Sequence, residues 1–110
     1  MLKGKYAKLR DDLRKAILAG VTAEENNPSD GGTCNFDASG VLLSRWNREM
    51  VREAAREAGT HASEWGGMSG WWVFSPKTHS QGLARTRNAE AVTAEMAKNG
   101  YVVCGYYQMD

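Results

Sequence analysis

The first hydrophobic pattern in the chain recurs at three- and four-residue steps. Such spacing places apolar side chains on one face of a helix and polar ones on the other. It predicts a helix over residues 2–19, with Gly20 as its stop and a polar tether over residues 21–32. The stripe consists of Leu2, Tyr6, Leu9, Leu13 and Ile17.

Beyond the tether, short alternating or β-rich runs are interleaved with helical patterns. Alternation of side chains at every second position is typical of a strand with one buried face. Glycines and helix-capping residues separate the segments. The predicted strands are 33–38, 61–65, 71–75 and 101–109, and the predicted helices are 47–58 and 83–99.

The order of these elements predicts an α+β fold. After the N-terminal helix (residues 1–20) and the tether (21–32), residues 33–110 read β-α-β-β-α-β. This is the order of a ferredoxin-like split β-α-β domain, with a four-stranded antiparallel sheet and two helices on one face. The other sheet face is then left without a crossover helix.

Aromatic residues make that open face important. Adjacent strand residues point to opposite faces, so one of Trp71 and Trp72 and one of Tyr106 and Tyr107 must lie on the open side. Three explanations stay open: the N-terminal helix covers the face, a homodimer forms through the helix or the face, or the face stacks nucleic-acid bases. Trp72 and Tyr107 are the candidates for stacking or interface contact.

Composition narrows the class of protein more than it identifies a function. The 110 residues are 42% hydrophobic and 25% charged, which is ordinary for one globular domain. The net charge of +1 provides no global attraction to nucleic acid or membrane, so an electrostatic function needs local clustering. No segment is typical of a secretory signal or membrane span, and Cys34 and Cys104 do not form a disulfide framework. We therefore expect a cytoplasmic protein that does not bind membranes.

One local cluster of cations precedes and begins the last helix. A helix N-terminus favours acidic residues, yet this one carries Arg85 and Arg87 just after a basic loop. An anion bound there would stabilise these cations, because free N–H groups and guanidinium forks both bind phosphate. The predicted anion or nucleic-acid site consists of Lys77, His79, Gln81, Arg85 and Arg87.

Catalytic signals are weaker. His79 beside the arginines is the one weak catalytic candidate, as the general base of a metal-independent ribonuclease. The pattern indicates no metal site and no cofactor, because no set of convergent ligands and no phosphate-loop motif is present.

In size and architecture the chain resembles small proteins of phages and bacterial mobile elements, the anti-CRISPR proteins among them. This resemblance implies an alternative function, the occlusion of a partner protein, and transfers no functional residue. The favoured hypothesis is a non-catalytic binding module whose basic patch engages nucleic-acid phosphates or an acidic protein surface.

Overall fold

A computed structural model describes residues 2–26, 38–75 and 83–106. These residues form three helices and one four-stranded antiparallel sheet, which confirms the α+β class. The helices are α1 (Lys5–Asn26), α2 (Arg48–Ala58) and α3 (Leu83–Lys98), and the strands are β1 (Ala38–Leu42), β2 (Ala62–Glu64), β3 (Trp71–Phe74) and β4 (Val103–Tyr106).

The strands lie in the order β2-β3-β1-β4. The first and last strands are therefore neighbours, with Gly40 opposite Cys104. On the other side of β1, Val41 lies opposite Trp72. This register sets the two faces of the sheet, because paired residues on neighbouring strands point the same way.

The helix side of the sheet carries the hydrophobic core. Helices α2 and α3 pack on this side, and Met96 of α3 and Val51 of α2 are fully buried there. The sheet contributes large side chains that alternate with those of the opposite face. The buried hydrophobic strand residues on this side are Val41, Ala62, Trp72 and Phe74.

Helix α1 packs against α2 and α3 and belongs to the same hydrophobic cluster. Leu9, Leu13 and Ala16 have no exposed surface. All three described helices thus lie on one side of the sheet. The explanation in which the N-terminal helix covers the open face does not hold, because its apolar stripe is used against the other helices.

The predicted end of α1 at Gly20 is wrong, since the helix continues to Asn26. Gly20 is the point where α1 meets α3. A Cβ there would collide with the side-chain oxygen of Asn88 and lie 2.8 Å from Val92 Cγ2. The glycine marks a close helix contact rather than a helix stop, and part of the predicted tether is helical.

The opposite end of α1 is joined to the end of α3 by a buried carboxylate. Asp12 is 4% exposed and accepts hydrogen bonds from Tyr101 Oη at 2.8 Å and from Lys8 Nζ at 2.6 Å. Lys8 Nζ also donates to the carbonyl of Asn99 at 3.1 Å. Burial, and then the hydrogen bond to Asp12, raise the pKa of Tyr101, so the phenol keeps its proton.

The first described strand spans Ala38–Leu42 and overlaps the predicted segment at Ala38 alone. Residues 33–37 of that prediction lie outside the described residues. The sequence offers Ser44 and Asn47 as N-cap candidates for α2, and the structure uses Asn47, whose Oδ1 accepts a hydrogen bond from Met50 N at 3.0 Å. Over the described ranges, no helix is long and apolar enough to cross a membrane.

Candidate functional site

A groove of about 800 Å³ lies at one end of the sheet, where β1 and β2 end and β3 begins. One wall is the segment that leads from β1 into α2. The other wall is the glycine-rich turn between β2 and β3. The Leu43 N–H donates to the Gly70 carbonyl at 2.7 Å and joins the two walls.

All four tryptophans of the chain border this groove. Trp46 comes from the wall after β1, and Trp65 precedes the turn. Trp71 and Trp72 follow the turn and point to opposite faces of the sheet. The groove therefore has aromatic surface on several sides, contributed by segments far apart in the sequence.

Trp65 extends this aromatic surface across the open sheet face. Its ring centroid lies 6.1 Å from that of Trp71 and 5.0 Å from that of Tyr106, and both pairs meet edge to face. Each of the three side chains is half-buried. We call Trp65, Trp71 and Tyr106 the aromatic cluster.

Gly40 makes room for this cluster. A Cβ at this position would lie 2.8 Å from Trp65 Cζ3 and 3.2 Å from Cys104 Sγ. The indole of Trp65 can rest on the sheet only because β1 has no side chain there. A glycine inside a strand often indicates such a close approach.

Two exposed arginines stand at the groove. Arg45 adopts a left-handed backbone conformation with φ of 66° and is exposed. The Arg48 side chain is 72% exposed, and its Nε lies 3.1 Å from Glu64 Oε1. Arg52 Nη2 approaches the same oxygen at 3.4 Å.

Arg48 can leave its partner at little cost. An exposed ion pair contributes only about 0–1 kcal/mol, because water and salt screen it. Arg52 would still compensate Glu64, and its guanidinium also lies 5.4 Å from the centre of the Trp72 ring. The groove thus offers guanidinium groups to an anion and ring surface to a flat apolar group.

The predicted basic patch is only partly described. Lys77, His79 and Gln81 lie outside the described residues, so their role stays a prediction. Arg85 and Arg87 lie in the first turns of α3, half-buried, and each is engaged in an interaction within the molecule.

The neighbouring Asn88 shows what these first turns of α3 pack against. Asn88 is 1% exposed, and its Nδ2 donates to Glu24 Oε1 at 3.0 Å. This part of α3 therefore contacts the acidic last turns of α1, which carry Glu24 and Glu25. Glu24 therefore lies beside Asn88, in the same turns of α3 as Arg85 and Arg87.

Of the predicted stacking residues, Trp72 is 3% exposed and belongs to the core. Its neighbour Trp71 occupies the open face instead, as does Tyr106, while Tyr107 lies outside the described residues. One tryptophan and one tyrosine do reach the open face, as the alternation predicted. The correction concerns which tryptophan, because β3 begins with its first tryptophan directed away from the helices.

Metal-ligating side chains do not converge in the part of the chain that the structure describes. No group of three or more His, Cys, Asp or Glu side chains could hold a metal ion there. His61 is exposed, and Cys104 is a half-buried free thiol beside Gly40. His79 and Cys34 lie outside the described residues.

The sequence interpretation missed Trp46, Trp65, Arg45 and Arg48. A usable signal was the segment 65–72, WGGMSGWW, in which three tryptophans flank a glycine-rich turn. Comparison with protein families, characterised proteins and solved structures gives no match to this chain. The groove and the aromatic cluster are therefore the features that indicate a function.

Proposed function

We propose that the protein is a non-catalytic binding module for single-stranded nucleic acid. Bases would stack on Trp46 and on the aromatic cluster, and phosphates would bind Arg45 and Arg48. The observation that carries the proposal is the convergence of three half-buried tryptophans, Trp46, Trp65 and Trp71, and two exposed arginines on one groove.

Single strands suit this surface better than duplexes. Bases within a duplex are already stacked on one another, whereas unpaired bases present free ring faces to aromatic side chains. The edge-to-face packing of Trp65 against Trp71 and Tyr106 holds these rings in place before a ligand arrives. Less conformational entropy is then lost on binding.

We further propose that the domain is ferredoxin-like with α1 as an addition. Read from the other edge, the strand order is β4-β1-β3-β2, and neighbouring strands are antiparallel. In RNA-recognition domains, which share the four-stranded layout, aromatic residues on the open sheet face stack bases. The likeness concerns topology alone. It favours the open sheet face, on which the aromatic cluster lies, as the binding surface.

The direct test is fluorescence anisotropy with labelled oligonucleotides of about 12 nucleotides, within the ~4–16-nucleotide range of single-strand sites. Single-stranded RNA and DNA should bind with a dissociation constant of roughly 1–100 µM that rises with salt, and a matched duplex should bind more weakly. Preference between RNA and DNA would report on contacts to the 2′-hydroxyl. Equal or tighter binding of the duplex would contradict the proposal.

Two controls separate this proposal from its alternatives. Arg56→Gln removes one positive charge from the exposed face of α2, away from the groove, and should leave the affinity for the oligonucleotide unchanged. Polyglutamate that competes as well as the oligonucleotide would instead favour an acidic protein partner. RNA that stays intact during long incubation with the full chain would contradict the ribonuclease hypothesis for His79.

Cytoplasmic location and homodimer formation stay predictions. Both bear on the proposal, since the ligand must be present in the same compartment and a dimer through the open face would cover the aromatic cluster. Light scattering at the protein concentration of the binding assay measures homodimer formation directly. A monomer that binds single strands is the expected state.

A further inference from the structure

The first turn of α1 holds the wall of the groove that carries Trp46. The ring of Tyr6 meets Trp46 edge to face at 5.3 Å between centroids. Lys5 Nζ lies 4.5 Å from the centre of the Trp46 ring and 5.4 Å from that of Tyr6. A cation above an aromatic face is attracted by the negative face of the ring.

A hydrogen bond reinforces this contact. The backbone N–H of Asn47 donates to Tyr6 Oη at 2.9 Å, while the Asn47 side chain caps α2 by accepting from Met50 N. One residue thus joins α1, the groove wall and the start of α2. The wall cannot shift without breaking the tyrosine contact or the helix cap.

The backbone of the same wall is strained. Arg45 holds a φ of 66°, which is uncommon for a residue with a long side chain. Such a conformation persists only where the surroundings impose it. The contacts of Trp46 and Asn47 with α1 follow directly after Arg45 in the chain and are suited to impose it.

We propose that Tyr6, assisted by Lys5, is a positioning residue of the groove. Its ring and hydroxyl fix Trp46 and Asn47, and through them they set the direction in which Arg45 leaves the wall. The part concerning ligand affinity rests on the proposed function. The part concerning the geometry of the wall does not require a ligand.

The chain offers a matched pair of variants for the test. Tyr6→Phe removes the hydroxyl that accepts from Asn47, and Tyr101→Phe removes the hydroxyl that donates to Asp12. Both changes delete one oxygen from a half-buried tyrosine that joins α1 to the rest of the molecule. Only the first lies against the groove.

Two measurements without ligand test the geometry. Tyr6→Phe should shift the indole N–H resonance of Trp46 in a nitrogen–proton correlation spectrum and accelerate amide hydrogen exchange at Asn47. Tyr101→Phe should leave both signals as in the parent chain. Unchanged signals in Tyr6→Phe, or equal changes in both variants, would overturn the positioning role.

A third measurement tests the consequence for binding. Tyr6→Phe should weaken the single-stranded oligonucleotide about fivefold, near the effect of one neutral hydrogen bond, with an unchanged salt slope because no charge is lost. A purely structural role would lower the urea midpoint and leave the affinity of the folded protein unchanged. Failure of the parent chain to bind would refute the proposed function, while the resonances would still decide the positioning role.

Discussion

The molecule carries arginines in pairs at two places, and their surroundings differ. In the first turns of α3, Arg85 and Arg87 are half-buried beside the contact with α1. At the groove, Arg45 and Arg48 are exposed and stand among tryptophans. The comparison teaches that a cluster of cations is available to a ligand only where the fold leaves it in solvent.

The α3 pair lies where two antiparallel helices meet. At one end, Gly20 lets α1 approach Asn88 and Val92, and at the other end Asp12 joins Tyr101. These contacts make the region a source of stability. The groove instead gathers side chains that the core does not need, such as the exposed guanidinium groups.

The largest expected effect comes from neutralising the groove pair. Arg45→Asn combined with Arg48→Gln should weaken single-stranded oligonucleotide binding by roughly 100-fold, since each charged contact is worth about 1.4 kcal/mol or more. The salt slope should become shallower by about 1.4, which corresponds to two lost phosphate contacts on a single strand. Asparagine also tolerates the left-handed conformation at this position, so stability should not fall.

The matched change in the other region is Arg85→Gln combined with Arg87→Gln. It removes the same number of charges and should alter affinity by less than about threefold. Loss of binding here, with the groove variant unaffected, would return the site to the start of α3. That result would also restore Lys77, His79 and Gln81 as its neighbours.

A change in the helix contact should affect stability and spare binding. Gly20→Leu should lower the free energy of unfolding by about 2 kcal/mol, because overpacking at Asn88 and Val92 exceeds the gain in helix propensity. Urea denaturation measures this loss. Thr22→Leu adds bulk on an exposed position of the same helix and should stay within about 0.5 kcal/mol of the parent.

A change in the aromatic cluster should instead weaken binding and spare stability. Trp71→Leu keeps an apolar side chain in β3 but removes the ring, and it should weaken binding about tenfold, as expected for one lost stacking contact. The salt slope should not change. An equal loss of affinity for polyglutamate would show that the ring acts through the fold of the groove rather than through stacking.

The smallest expected effect is a pH dependence of stability that comes from the contact between α1 and α3 and not from the groove. The folded protein raises the pKa of Tyr101, so the folded state keeps a proton that the unfolded chain releases near pH 10. The stabilisation is present below about pH 10 and is lost as the pH rises above it. The parent should therefore lose about 1 kcal/mol more than Tyr101→Phe between pH 9 and 11 in urea denaturation, which is the net value of one hydrogen bond. Identical pH profiles would contradict a folded-state role for this phenol.

Local patterns predicted much of the fold, because helices and strands impose their own periods on side chains. The order of elements, the antiparallel sheet, the Asn47 cap and the division of aromatics between faces follow from neighbours in the sequence. The prediction that Gly20 stops α1 is wrong, because this glycine admits Asn88 and Val92 of α3. Gly40 likewise admits Trp65, a contact that the strand pattern does not indicate.

The candidate site was harder to predict than the fold, because its residues come together only through contacts between distant parts of the chain. Trp46 and Trp65 meet at the groove only after β1 and the β2–β3 turn are placed side by side. The sequence around Arg85 and Arg87 gives no sign that this part of α3 meets an acidic helix end, because Asn88 and its partner Glu24 are 64 residues apart along the chain. Charge patterns over short windows do not detect such partners.

The contact of Trp65 with Gly40 carries an evolutionary consequence. Since the indole occupies the volume that any other residue at position 40 would need for its side chain, Gly40 cannot change freely while Trp65 is kept. Divergent descendants of this chain that keep Trp65 should therefore keep Gly40, and a larger residue at 40 should appear only after a smaller one at 65. Joint retention of Gly40 and Trp65 among such descendants would indicate that selection preserves the aromatic cluster.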